Sequence, residues 1–297
     1  MTICRLIQAF GSQRRKKQLH NAQAGRVDAS QLTSGDAMLH LIRSTKADPG
    51  VRSDVIKESL SHRNIPPHNT KATTPDEAYP FDQIVPKIIR DSLDTSLLER
   101  ACKDNSVLSE ITKVLGPYVA SRVAGSTLIN VSSLSHLERT NCLVYLGYLL
   151  KFASDMGKLV IRVKTEQGGI QAVAEKFHMS TSLLEGILDL FYSREDLDDG
   201  SKYILDKTKR NLMLAWCLLL SVRAEPESTL PSFAFQTLCE QLKMKPVDVA
   251  AMFRELGCLT KRESNGNIVT LLKSSLHDEP KTLEDSFPPL KLGGKKR

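Results

Sequence analysis

One order of local signals occurs twice between residues 134 and 276: a long apolar helix, a short helix, a tight turn, a second helix and a two-stranded hairpin. In the first copy, residues 134–205, LERTNCLVYLGYLLKFASDM predicts an amphipathic helix with Leu143, Leu146, Leu150 and Ala153 on one face. Tyr145, Tyr148 and Phe152 flank that face, and Gly157 supplies a stop. Val160 to Val163 alternate as a short strand, and Gly168-Gly169 is a turn. IQAVAEKF then forms a short helix, HMS a turn, and STSLLEGILDLFY a second helix with Ser180 or Thr181 as N-cap. SREDLDDGSKYIL closes the unit as a wing, with Tyr203 and Leu205 returning along a strand.

The second copy, residues 206–276, is better defined. DKTKRNLMLAWCLLLSVRA is a long helix capped by Asp206, and a loop from Pro226 to Pro231 follows. SFAFQTLCEQL is a short helix and KMK its turn. PVDVAAMFRELG is the next helix, with Pro246 suited to the first turn and Gly257 to the C-cap. In CLTKRESNGNIVTLL, alternating apolar residues flank Asn265-Gly266, which predicts a hairpin around a type I′ turn. Helix–turn–helix followed by a wing is winged-helix grammar. The expected fold is therefore mainly α with small β-wings: tandem winged-helix domains preceded by a helical linker.

The rest of the chain is organised around that pair. Residues 1–80 form a basic arm and linker, expected to be partly disordered, in which SGDAMLHLIRST and SDVIKESLSHR are too short to bury much alone. NIPPHNTKATTPDEAYP is too rich in Pro, Thr and Asn for a helix. Residues 81–133 are a helical lead-in. There, FDQIVPKIIRD places Phe81, Ile84, Val85, Ile88 and Ile89 on one stripe, and Gly116-Pro117 is a break. Residues 277–297 are expected to be an extended basic tail ending in Lys295, Lys296 and Arg297.

Charge follows the same division. Residues 1–75 hold twelve Lys/Arg and five Asp/Glu, which accounts for the whole formal charge of +7. An electrostatic arm on a balanced body suits a polyanionic partner, and it equally suits a solvated tail. No stretch approaches the roughly 20 apolar residues of a membrane helix. The cysteines (Cys4, Cys102, Cys142, Cys217, Cys239 and Cys258) form no CxxC pair, and most fall on apolar helical faces as small hydrophobes. The histidines (His20, His40, His62, His68, His136, His178 and His277) are scattered, and His178 is expected on the surface of a turn. P-loop, GxSxG and HExxH patterns are lacking, so no catalytic, metal or cofactor residues are assigned and the chain is expected to be non-enzymatic.

A winged helix meets DNA through phosphate contacts from Lys and Arg, and through base edges read by its second short helix. In the first copy that helix carries Glu185 and Asp189 and neither Lys nor Arg, so packing against protein is its expected role. The second copy is better supplied. Lys207, Lys209 and Arg210 start its long helix, Lys243 and Lys245 bracket the turn, Arg254 lies on the second helix, and Lys261 and Arg262 begin the wing. These eight are the candidate DNA-binding residues, and solvated faces of a balanced domain are the competing reading.

Four segments carry a resemblance to a known family: FGSQRRKK (Phe10 to Lys17), AYPFDQIVP (Ala78 to Pro86), REDLDDGSKYILDKTKRNLMLAWCLLLSVRAE and LKMKPVDVAAMFRELGC. In their order along nearly the whole chain from Phe10 they resemble the RNA polymerase I-specific 49-kilodalton subunit family. The resemblance implies tandem winged helices similar to those of general transcription factor IIE, placed near the polymerase cleft and binding DNA during initiation and elongation. It also implies a linker along the polymerase surface and an N-terminal β-barrel that pairs with a smaller subunit. That module is expected to be missing here, which leaves the heterodimer partner open. The implied partners are RNA polymerase I core subunits and duplex DNA without strong sequence preference, in the nucleus and nucleolus. The basic arm, Arg14, Arg15, Lys16 and Lys17, would bind nucleic acid, an acidic polymerase surface or the nuclear import machinery. Two alternatives stay open from the residues: a winged-helix protein-docking scaffold of another complex, and a free-standing sequence-specific regulator.

Overall fold

The computed structural model describes residues 63–101, 104–124, 136–154, 160–164, 169–263, 266–272 and 281–288. The basic arm Arg14 to Lys17, the short helices expected in the arm, the Gly157 stop and the Lys295-Lys296-Arg297 cluster lie outside them. One folded unit runs from Ile65 to Leu290. Its start is earlier than the Phe81 boundary expected from sequence, because Ala72, Ala78 and Tyr79 are buried.

The linker is a series of single helical turns. In α1 (Pro75–Ala78) the Thr74 side chain accepts from the Glu77 amide, and Pro75 opens the first turn. α2 (Phe81–Ile84) and α3 (Lys87–Arg90) follow. A proline disfavours helical backbone in the residue before it, so Pro80 and Pro86 end the turns at Tyr79 and Val85, both at ψ 82°. The single stripe expected over FDQIVPKIIRD is thereby broken. Ile84, Val85 and Ile89 are buried, while Ile88 is 72% exposed. α4 (Ser96–Ala101), a 3₁₀ turn at Asn105–Val107, α5 (Leu108–Val114) and α6 (Pro117–Ala124) complete the lead-in. Gly116, at φ 97°, makes the break before Pro117.

The first winged helix is built from α7 (His136–Ser154), β1 (Val160–Lys164), α8 (Gly169–Phe177), α9 (Thr181–Phe191), β2 (Ser193–Leu197) and β3 (Gly200–Ile204). α7 is not the amphipathic helix expected. Every residue from Arg139 to Leu150 is buried, so it runs through the interior. Ser180 caps α9 by accepting from the Leu183 amide. The strands form one sheet in the order β1-β3-β2, and Leu205 lies just beyond it.

The second winged helix comprises α10 (Lys207–Arg223), a 3₁₀ turn at Pro226–Ser228, β4 (Thr229–Leu230), α11 (Ser232–Leu242), α12 (Pro246–Glu255), β5 (Cys258–Glu263) and β6 (Gly266–Leu271), with sheet order β4-β6-β5. Asp206 caps α10 through the Lys209 amide at 2.7 Å. The last pair of the wing ladder is Glu263 with Gly266. Gly266 begins the return strand at φ 129°, and Ser264 and Asn265 lie outside the described residues. The first wing has the same construction: Leu197 pairs with Gly200 across Asp198-Asp199.

α7 and α10 pack on each other, so the two winged helices share one hydrophobic core. The linker completes that core. The Trp216 indole Nε1 on α10 donates to the Ile84 carbonyl at 2.8 Å, and the Tyr79 hydroxyl donates to the Leu256 carbonyl at 2.9 Å. From α3, Ile89 fills the space that a β-carbon on Gly186 of α9 would occupy. α13 (Leu283–Ser286) closes the unit with a capping box between Thr282 and Asp285. The Leu283 amide donates to the Ala72 carbonyl and the Glu284 amide to the Thr70 carbonyl, both at 2.9 Å. Leu283 and Phe287 are buried, so residues 281–288 belong to the body and not to the extended tail expected.

A buried charged cluster holds the lead-in to the end of α10. The Arg122 guanidinium on α6 grips the Glu225 carboxylate with two hydrogen bonds of 2.6 and 2.5 Å, both side chains being at most 4% exposed. Burial pushes the Glu225 carboxyl up, against the pull of Arg122 and Arg139. Arg139 on α7 donates to the Ala224 carbonyl at 2.9 Å, and Arg223 bonds Asp76 of α1 and the Ser228 hydroxyl. The Phe233 ring lies 4.9 Å from the Arg122 guanidinium.

Candidate nucleic-acid interface

The second winged helix carries an open groove where α11, α12 and the wing meet. Phe235, Pro246, Val247 and Ala250 give it an apolar wall, and Arg254 and Arg262 project into it from the helix and the wing. A second hollow adjoins it through Gln236 and Pro246 and is lined by Lys243 and Lys245. Four of the eight candidate residues thus border one continuous surface, and all four are exposed.

Local sequence explains the placement. α11 ends at Lys243, which adopts left-handed backbone at φ 54°, and its amide closes on the Glu240 carbonyl. That turn exposes Lys243 and sets Lys245 at the N-cap of α12. A lysine makes no capping bond there, so its charge adds to the positive end of the helix dipole. Arg254 lies in the last turn, its Nε 3.3 Å from the Ala250 carbonyl. Carboxylates are also present. Asp248 lies in the first turn of α12, and Glu255 is exposed at its end.

The other four candidates separate. Successive residues of a strand face opposite sides. Arg262, opposite Asn267, faces the groove, whereas Lys261, opposite Ile268, faces away from it with Leu259. Lys207, Lys209 and Arg210 belong to the start of α10 and do not line the groove. The Lys209 ammonium donates to the Tyr192 carbonyl at 2.5 Å, which ties α10 to the end of α9. Sequence reasoning missed Val247, Gln236 and Asn267 as groove residues. Strand alternation alone was enough to separate Lys261 from Arg262.

The corresponding face of the first winged helix has the opposite sign. Glu185 and Asp189 are exposed on α9, and Glu195, Asp196, Asp198 and Asp199 on the wing. Its wing cations are paired, Arg194 with Asp196 at 2.7 Å and Lys202 with Glu195 at 2.8 Å. The Arg194 hydrogen bond holds the Asp196 carboxyl below its ordinary range. Among the described residues no group of His, Cys, Asp or Glu comes together to hold a metal ion, and no helix is long and apolar enough to cross a membrane.

Two winged helices on one core, one face basic and the other acidic, define a tandem winged-helix protein. The family model for A49-like RNA polymerase I associated factors matches residues 4–281, and the chain belongs to that family. It is similar to the DNA-directed RNA polymerase I subunit RPA49 of Saccharomyces cerevisiae, with 24% identity over 265 residues. That match covers 86% of this chain and 59% of the yeast one, so the chain spans about three-fifths of the relative's length.

Proposed function

We propose that this chain is a non-catalytic, nucleolar subunit of RNA polymerase I that holds duplex DNA during ribosomal RNA transcription. The observation that carries the DNA contact is the open groove of the second winged helix, bordered by Arg254 and Arg262, together with the adjoining hollow lined by Lys243 and Lys245. Family membership supports the polymerase as its setting. The mechanism is tethering: the polymerase-bound protein raises the effective concentration of DNA at the groove. The contacts are mostly to phosphates, so affinity should fall steeply with salt, by about 0.9 in log–log slope for each phosphate neutralised. The first winged helix, with its acidic face and with Ile89 of α3 seated against Gly186 of α9, serves protein packing.

Affinity for a duplex measured across a salt series tests the DNA part. A steep slope that flattens when Arg254 and Arg262 are changed to glutamate supports it, and an unchanged slope removes the groove from it. Recovery of the large RNA polymerase I subunits with the tagged chain from its own cells tests the setting. Recovery of another assembly without that polymerase would replace it with a protein-docking role.

A further inference from the structure

The helices α9 and α12 start 65 residues apart and bury their residues in one register. Leu184 corresponds to Val249, Leu188 to Phe253 and Phe191 to Leu256, all fully buried. In that register the outward stripe Ser182, Gly186 and Asp189 of the first copy corresponds to Val247, Ala251 and Arg254 of the second. The first stripe is partly covered, since Ile89 of α3 sits against Gly186. The second is open, with Val247 74% exposed at the second position of α12 and Ala251 exposed one turn later.

An isolated exposed apolar side chain is ordinary on a protein surface. Val247 is not isolated. It continues the apolar wall of the groove, and the cations Lys243, Lys245, Arg254 and Arg262 border the surface around it. Those cations would hold two phosphate backbones around whatever Val247 meets. In a major groove, the N-terminal residues of such a helix face base edges, and the one apolar feature there is the C5-methyl group of thymine.

Resting on the DNA-binding reading above, we infer that Val247, with Ala251 behind it, contacts thymine methyl groups, so that the second winged helix favours thymine-bearing steps. Asp248 is the one carboxylate in this first turn. It offers no donor to guanine and can only accept from an amino group of cytosine or adenine, so contact with a thymine methyl falls to the apolar Val247. The result is a graded bias in base composition, not recognition of a defined site.

The test uses the full chain and two duplexes of one thymine-rich sequence, with thymine in one and uracil in the other. The two differ by methyl groups and keep the same base pairing. The expected result is about fourfold weaker binding to the uracil duplex, the scale of one buried methyl group. Val247→Ala should bind the thymine duplex at the uracil level and no longer distinguish the two. Equal affinity of the unaltered chain for both duplexes overturns the inference and leaves DNA binding standing. A difference that survives in Val247→Ala overturns the assignment to this residue. No binding to either duplex overturns the DNA-binding reading and this inference with it.

Discussion

His178 and Lys243 hold the same left-handed backbone at the same point of the two winged helices, at φ 55° and 54°. The hydrogen bonds around them match as well. Each amide donates to a glutamate carbonyl, Glu175 or Glu240, at 3.1 Å. The next residue, Met179 or Met244, donates to the carbonyl of Ala174 or Cys239. The turn is one structural device used twice, and what differs is the charge it presents.

That difference separates stability from function. Left-handed backbone costs a side-chain-bearing residue about 1–2 kcal/mol, and glycine avoids the cost. His178→Gly and Lys243→Gly are each expected to be neutral or stabilising by up to about 1 kcal/mol in denaturant unfolding. Only Lys243→Gly should weaken duplex binding, flattening the salt slope by up to about 0.9.

The wing gives a sharper contrast, because its two adjacent cations face opposite ways. Arg262→Glu should lower duplex affinity several-fold more than Lys261→Glu does. Fluorescence anisotropy at two salt concentrations would show it. Equal losses would mean that DNA meets the edge of the wing and not the groove.

Two helical glycines should respond differently to alanine. At Gly186 the added carbon meets only the mobile end of Ile89, which can turn aside, and alanine favours helix. Gly186→Ala is expected to change stability by less than about 1 kcal/mol. At Gly147 the added carbon lies 2.7 Å from the Leu115 Cβ and 3.0 Å from its carbonyl oxygen. Backbone must move there, so Gly147→Ala should cost about 1–3 kcal/mol. Thermal or urea unfolding of the two variants measures both.

The Arg122 and Glu225 pair invites a double-mutant cycle. Arg122→Met leaves a buried carboxylate without its partner and should cost about 3–5 kcal/mol. Adding Glu225→Leu should return much of that loss. Strict additivity of the two changes would show that the pair is not coupled.

Trp216 is the only tryptophan and is 3% exposed, with its indole bonded to Ile84 of the linker. That bond is to the backbone, so Ile84→Ala keeps the acceptor but removes the buried side chain that seats α2, and it should shift the Trp216 emission to the red at denaturant concentrations below global unfolding. Burial also raises the thiols of Cys142, Cys217 and Cys258, the first to about 12. At mildly alkaline pH these three stay protonated, so they should resist thiol reagents until the chain unfolds.

The local devices were legible in sequence because each is written within a few residues. Asp206, Ser180, Pro246 and Gly257 all sit at the helix ends where their chemistry placed them. The hairpin at residues 258–271 is also legible, its strands pairing from Cys258 with Leu271 to Glu263 with Gly266, while Asn265 of the expected turn lies outside the described residues. What the sequence concealed was long-range. Tyr79 and Leu256 are 177 residues apart, and no periodicity in a Pro-rich linker announces that bond. The burial of α7 on every side was hidden for a similar reason. Arg139, Thr140 and Asn141 break an apolar pattern, yet all three are enclosed, with Arg139 bonded to Ala224 and Thr140 to the His136 carbonyl.

The backbone bond between Leu283 and Ala72 also bears on synthesis. A ribosome makes Ala72 long before Leu283, so the linker leaves the exit tunnel without the strip of chain that will cover it. Until α13 emerges, the carbonyls of Thr70 and Ala72 lack their Glu284 and Leu283 donors, and the Leu283 side chain is missing from beside Gly257. Closure of the linker by α13 therefore cannot begin until residue 284 has been made, however early the linker itself is released.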